Sequence, residues 1–191
     1  MKTIELLKKL NEINKSYYTF SDLKKIINLN NEPLKVKLNR LVKQNVLKRA
    51  MRGVYVLYDK TIDCECFACE YVMPSYVSFE YALSVYGIIS EIPYEITLAT
   101  TKRTKKIKVN GNIISYRKIR KDLFFGYEKT DKIFIATKEK AYLDCVYFRL
   151  NGKQTGVDVK KVDTKKLDKK ILLNYAKKYP EKIKKYVMEN F

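Results

Sequence analysis

The chain has no histidine among its 191 residues, so any acid–base chemistry falls to Asp, Glu, Lys, Tyr or Cys. Nowhere does it hold an apolar run approaching the ~20 residues that a membrane-spanning helix needs. Its start, "MKTIELLKKLNEINK", breaks each apolar run with charge. It lacks the apolar centre and small-residue cleavage site of a secretory signal, which points to the cytoplasm. There is no Gly-x-x-x-x-Gly-Lys phosphate loop: Gly152-Lys153 is followed by Gln154 and lacks the earlier glycine. No Glu-x-Lys triplet occurs, so the usual signature of a metal-dependent nuclease domain is missing. Glu139 and Asp144 can be considered as a carboxylate pair. Five positions apart on a helix, however, they point about 140° away from each other. Glu139 is more simply a partner for the dipole at a helix start. These absences argue against catalysis and against a bound cofactor.

One absence is positional. Residues 61–100 carry six acids and no Lys or Arg, whereas residues 1–60 carry fourteen cations and five acids, and residues 101–191 carry twenty-six and ten. The net charge is +19, far more than solubility requires. A uniformly lysine-rich composition would not leave forty residues without one cation. The segregation favours surfaces with distinct electrostatic roles, and nucleic acid phosphate is the first candidate for the counter-charge, ahead of an anionic membrane surface.

The first sixty residues explain where that charge is used. "TIELLKKLNEI" spaces Ile4, Leu7, Leu10 and Ile13 helically, with Leu6 alongside. Ser21 is a plausible N-cap for a second helix to about Ile27, with Asp22 next to it. After the turn "NLNN", Asn31 can cap a third helix with Glu32 and Pro33 in its first turn. At about 100° per residue, Leu34, Leu38, Leu41 and Val42 share one face of this helix. Val36, Asn39, Arg40 and Lys43 share the other, with Lys35 at its edge. Arg suits guanine, Asn adenine and Val a thymine methyl, while Lys35 and Lys43 are better placed for phosphate. The plainer reading is a solvated basic face. Next comes "VLKRAMRGVYVLY", a strand, a turn at Gly53 and a second strand, with Lys48, Arg49 and Arg52 crowded about the turn. Three helices followed by such a hairpin is the winged helix-turn-helix plan, in which the third helix enters the major groove and the hairpin touches the backbone. The expectation is a DNA-binding domain over residues 1–60.

Residues 61–93 read as a helical bridge. A short helix covers 64–72, and Ser78 can cap another to Tyr86, with Gly87 as its stop and Phe79, Ala82 and Val85 as its buried stripe. Cys64, Cys66 and Cys69, with Cys145 far along the chain, raise a metal question. Cys64 and Cys66 would point about 160° apart on a helix, and paired Cys-x-x-Cys knuckles are absent. Buried thiols in a reducing compartment are the better reading, with no metal.

From residue 94, "YEITLATT", "KKIKVNGNIISYRK", "DLFFGY" and "KIFIAT" read as strands, with Asn110-Gly111 as a hairpin turn. Helices follow from Thr137, Asp168 and Pro180. The expected fold class is α+β: an N-terminal winged helix-turn-helix, then an α+β domain over 61–191 with an antiparallel sheet at 94–136 and helices at 137–191. Residues 101–121 hold nine cations and no acid: Lys102, Arg103, Lys105, Lys106, Lys108, Arg117, Lys118, Arg120 and Lys121. They form either a second nucleic-acid surface or the solvated face of a strand pair, since Ile107, Val109, Ile113 and Tyr116 are interspersed with the charges.

The second half resembles the AbiEi family, abortive-infection antitoxins of type IV toxin–antitoxin systems. The landmarks are Pro74-Ser75-Tyr76-Val77-Ser78, Ala82-Leu83, Gly87-Ile88, Ile135-Ala136-Thr137, Glu139-Lys140-Ala141 and Leu143-Asp144. Lys138 stands where the family often has proline. Because that family also begins with a winged helix, the resemblance covers nearly the whole chain. It implies a repressor that binds inverted repeats in its own double-stranded promoter DNA as a monomer or weak dimer, cooperatively. It also implies that the protein counteracts a neighbouring nucleotidyltransferase-type toxin without a stable complex. The competing expectation is a nucleic-acid-processing enzyme, or its targeting subunit, in a mobile-element defence system.

Overall fold

The computed structural model describes residues 1–130, 133–153, 155–156, 158 and 162–191. Its chain divides into two compact units, one of residues 1–63 with 109–111, the other of residues 64–108 and 112–191. Both mix helix and sheet, and among the described residues there are eight α-helices.

The first unit contains α1 (Thr3–Ile13), β1 (Tyr18–Thr19), α2 (Phe20–Ile27), α3 (Asn31–Lys43), β2 (Leu47–Met51) and β3 (Val54–Leu57). The three strands form an antiparallel sheet in the order β1-β3-β2. Residues Leu6, Leu10, Leu23, Ile27, Leu34, Leu38 and Leu41 bring the three helices onto one core, closed by Tyr18, Leu47, Tyr55 and Leu57. Each buried leucine contributes roughly 1.5–3 kcal/mol. Tyr18 keeps its hydroxyl satisfied inside this core by donating to the Leu10 carbonyl at 2.5 Å.

Several local expectations need correction. In α1 the buried pair is Leu6 and Leu10; Leu7 is half-buried, and Ile4 and Ile13 are exposed. The start of α2 is capped by Thr19, not Ser21. The Thr19 hydroxyl accepts from the Asp22 N–H at 3.1 Å, and the Asp22 carboxylate accepts from the Thr19 N–H at 2.9 Å and hydroxyl at 2.7 Å. This reciprocal box satisfies two backbone donors where a Ser21 cap would satisfy one. For α3 the cap is Asn30, one residue earlier than expected, with no side-chain hydrogen bond to the helix. Two asparagines in the left-handed conformation, Asn14 and Asn28, end α1 and α2.

The Asp22 box gives a pH prediction. Partial burial raises the Asp22 pKa, but hydrogen bonds from the Thr19 hydroxyl and N–H, with Lys15 nearby, outweigh it and hold the carboxyl below its usual 3.8. A depressed folded value means that the stabilisation is complete above pH 3.8 and is lost as pH falls below that value. In acid titrations of unfolding, the stability gap between the wild type and Asp22→Asn should therefore close below about pH 4.

The second unit contains α4 (Cys64–Tyr71), β4 (Ser75–Val77), α5 (Phe79–Val85), β5 (Glu95–Thr100), β6 (Lys105–Val109), β7 (Asn112–Lys118), β8 (Tyr127–Thr130), β9 (Ile133–Ala136), α6 (Lys138–Leu150), α7 (Lys169–Ala176) and α8 (Glu181–Asn190). The sheet order is β6-β7-β5-β4-β9-β8. It is mixed, not antiparallel: β5 runs parallel to β7 and β4 parallel to β9, while β4–β5 and β8–β9 are antiparallel. The sheet was expected to begin at residue 94, but β4 lies within the presumed helical bridge, as a central strand with Ser75, Tyr76 and Val77 all buried. A strand buried on both faces shows no alternation, and three residues are too few to show any period. "DLFFGY" is also not a strand up to Gly126: Lys121–Leu123 is one 3₁₀ turn and β8 starts only at Tyr127. In α5, Val85 is exposed and Leu83 takes its place in the core. The starts expected for α6, α7 and α8 are all observed, with Thr137 accepting from the Lys140 N–H and Asp168 from the N–H groups of Lys170 and Ile171. Among the described residues, no helix is long and apolar enough to cross a membrane.

Candidate nucleic-acid interface

The two faces of α3 separate cleanly. Leu34, Leu38 and Leu41 are buried and Val42 packs against the same core. Lys35, Val36, Asn39, Arg40 and Lys43 are exposed, and Val36, an apolar residue, is 52% open to solvent. Among the described residues, the Asn39, Arg40 and Lys43 side chains make no hydrogen bond or ion pair, while Lys35 donates to Glu32 at 2.6 Å.

The β2–β3 turn lies beside this helix. Met51 and Val54 are register partners, so Arg52 and Gly53 make a two-residue turn, and Gly53 takes φ +78°, which a side chain would strain. The ladder slips between Arg49 and Met51, a bulge that increases the local twist. Arg49 and Arg52 are exposed. Lys48 is not equivalent to them: it is half-buried, with its ammonium 4.9 Å from the centre of the Tyr58 ring.

Between α3 and this turn runs a groove of about 350 Å³, lined by Phe20, Lys35, Asn39, Arg49, Arg52, Gly53 and Tyr55. Arg49 and Tyr55 are cross-strand partners and so share a face of the sheet. Phe20 is tied to the turn by its N–H, which donates to the Gly53 carbonyl at 2.8 Å. Sequence reasoning did not find Phe20 or Tyr55 as surface features. In the structure both also belong to the core of the first unit, and nothing in the periodicity marks an aromatic that serves both core and groove.

The second basic stretch is less uniform than its composition suggests. Arg117, expected on that surface, is turned inward with its side chain only 13% exposed. It makes a two-pronged ion pair with Glu80, one of whose bonds is 2.7 Å, and its guanidinium lies 4.8 Å from the centre of the Phe79 ring. Lys106 is paired with Glu95 and Arg120 with Asp122, and Lys105 sits over the Tyr71 ring. Lys102, Arg103, Lys108, Lys118 and Lys121 are exposed. Within this stretch Val109, Ile114 and Tyr116 are buried, and Ile107 and Ile113 are half-buried.

A few titratable groups of the second unit are built into its interior. Almost the whole length of α6 is buried, including Glu139, Lys140 and Asp144. Lys140 and Asp144 form an ion pair with neither side chain exposed. The Asp144 carboxylate also accepts from Ser78 at 2.8 Å, Tyr76 at 3.2 Å and Tyr179 at 2.8 Å, and Lys140 donates to the Tyr179 oxygen at 2.5 Å. Burial lowers the Lys140 pKa, and Asp144 opposes that shift. Glu139 accepts from the Asp168 N–H at 3.0 Å, joining the start of α6 to the cap of α7. Burial pushes the Cys69 and Cys145 thiols up, away from the thiolate form that metals bind. Among the described residues, no three His, Cys, Asp or Glu side chains come together in a metal-binding geometry.

No model of a known protein family matches the chain, and no curated protein matches it.

Proposed function

We propose that the first unit is a winged helix that binds double-stranded DNA, with α3 in the major groove and the β2–β3 hairpin on the neighbouring backbone. One observation carries this reading: the solvent face of α3 places an amide, a guanidinium, two ammoniums and an exposed valine beside a cationic two-residue turn. Exposing Val36 serves no packing purpose, and it suits contact with a thymine methyl. Arg40 and Asn39 read base edges in this assignment, while Lys35, Lys43, Arg49 and Arg52 position the backbone. Lys48 has a smaller share than its neighbours, because it already rests on Tyr58.

The resemblance to the AbiEi antitoxins extends the proposal to the whole chain: a transcriptional repressor of its own operon whose second unit counteracts a nucleotidyltransferase-type toxin. The protein acts by binding in this reading, since Glu139 and Asp144 are each committed to structural partners. It works in the cytoplasm, with DNA as its lasting partner.

The test is binding to the DNA upstream of its own reading frame, measured across salt concentrations. Arg40→Ala should cost about 1–3 kcal/mol on the preferred sequence and relax discrimination at one base pair. Arg49→Ala should weaken preferred and random duplexes alike and reduce the salt slope by about 0.9. Equal losses on both kinds of DNA for both variants would remove the assigned roles.

A further inference from the structure

We propose that the groove between α3 and the β2–β3 turn seats one deoxyribose of the bound strand and rejects a ribose there, so that this site itself distinguishes DNA from RNA. The inference rests on the DNA-binding reading above and adds a recognition element to it.

A duplex held with α3 in one groove and the hairpin over the next must pass a backbone strand across the ground between them. In this protein that ground is concave. Its floor is mostly apolar, the Phe20 and Tyr55 rings with Gly53, and the one amide in its lining, Asn39, is assigned above to a base edge. Its rim is cationic: Lys35 on the helix side, Arg49 and Arg52 on the hairpin side. A nucleic acid backbone has a matching alternation, an apolar sugar between two phosphates. The rim can meet the phosphates while the floor meets the sugar face. In that floor the Phe20 N–H is already spent on the Gly53 carbonyl at 2.8 Å. A 2′-hydroxyl pressed onto the two rings loses water and meets mostly apolar surface in return, whereas the deoxy sugar loses no hydrogen bond there. The 2′-hydroxyl is the group by which proteins tell the two sugars apart at a given site.

The experiment uses the full chain and a fluorescent duplex chosen by the protein from a random pool. Single ribonucleotides are then placed in it one position at a time. At one sugar per bound module a ribonucleotide should weaken binding roughly tenfold, the size expected from burying an unpartnered hydroxyl, with little change elsewhere. Phe20→Leu, which keeps apolar volume for the core, should weaken the all-deoxy duplex, leave the salt slope unchanged and flatten the ribose profile. Arg52→Ala should instead lower the slope by about 0.9. Because the ribose scan uses the wild-type protein, it stands even if Phe20→Leu folds poorly. A flat ribose profile on a duplex that binds in a salt-dependent way overturns the sugar seat and leaves the DNA reading intact. Failure to bind any duplex overturns both.

Discussion

Replacing Lys140 with methionine should lower the stability of the second unit by about 3–5 kcal/mol, the range for stripping one partner from a buried ion pair. The side chain is long and unbranched, so methionine refills much of its volume, and the loss is chiefly electrostatic. With the ammonium gone, the Asp144 carboxylate keeps three hydroxyl donors, from Ser78, Tyr76 and Tyr179, but no counter-charge. The ammonium also lies 4.8 Å from the centre of the Phe125 ring and 5.0 Å from that of Tyr179, attractions that disappear with it. Urea denaturation followed by near-ultraviolet circular dichroism measures the change. Combining Lys140→Met with Asp144→Leu should recover only part of the loss, because it removes the stranded charge but leaves the buried Ser78, Tyr76 and Tyr179 hydroxyls without their acceptor. A single variant that melts at the wild-type urea concentration would contradict the argument.

Replacing Arg117 with methionine should produce a loss of the same order, about 3–5 kcal/mol, for the same reason: Glu80 would be left 4% exposed and without its guanidinium. The Gly156 N–H, which donates to Glu80 at 3.3 Å, is too long and too weak a contact to replace it. This result also separates two readings of the basic stretch at 101–121. If Arg117 belonged to a DNA-facing surface, its loss would reduce the salt slope of DNA binding and spare stability. Buried as it is, it should do the reverse, whereas Lys118→Ala, one residue away and exposed, should leave stability unchanged. Denaturation and a salt titration on the same two variants decide the matter.

These two side chains also show where sequence reasoning stops. Lys140 and Asp144 are four residues apart on a helix, a spacing that on most helices marks a surface pair. The clue to burial was the company they keep: "KAYLDCVYF" offers almost no polar residue to form a solvent face, so α6 had to be buried all round. Arg117 sat in a run of cations, and charge counting has no means of picking the one that turns inward. By contrast, the faces of α3 were legible because thirteen residues cover more than three full turns and its leucines fall on a single stripe. The turns at Gly53 and at Asn110-Gly111 were legible because both need a left-handed backbone and both carry glycine. The mixed sheet was not. Parallel neighbours are chosen by contacts between distant segments, and no local pattern in "SYV" announces that Val77 will align with Ile135. Ser21 was the expected cap of α2, and Thr19 takes that place because it forms the reciprocal bond with Asp22, which composition alone does not reveal.

The same distant pairing orders events on the ribosome. Strand β4 sits mid-sheet between β5 and β9, yet its partner β9 is made nearly sixty residues after it. Until Ile133–Ala136 leaves the exit tunnel, β4 has an open edge, and the large sheet cannot close. The three helices and small sheet of the first unit meet no such delay, since nearly all of their partners lie within the first sixty residues. The nascent chain thus carries a finished amino-terminal module while the rest of the polypeptide still waits for its last strand.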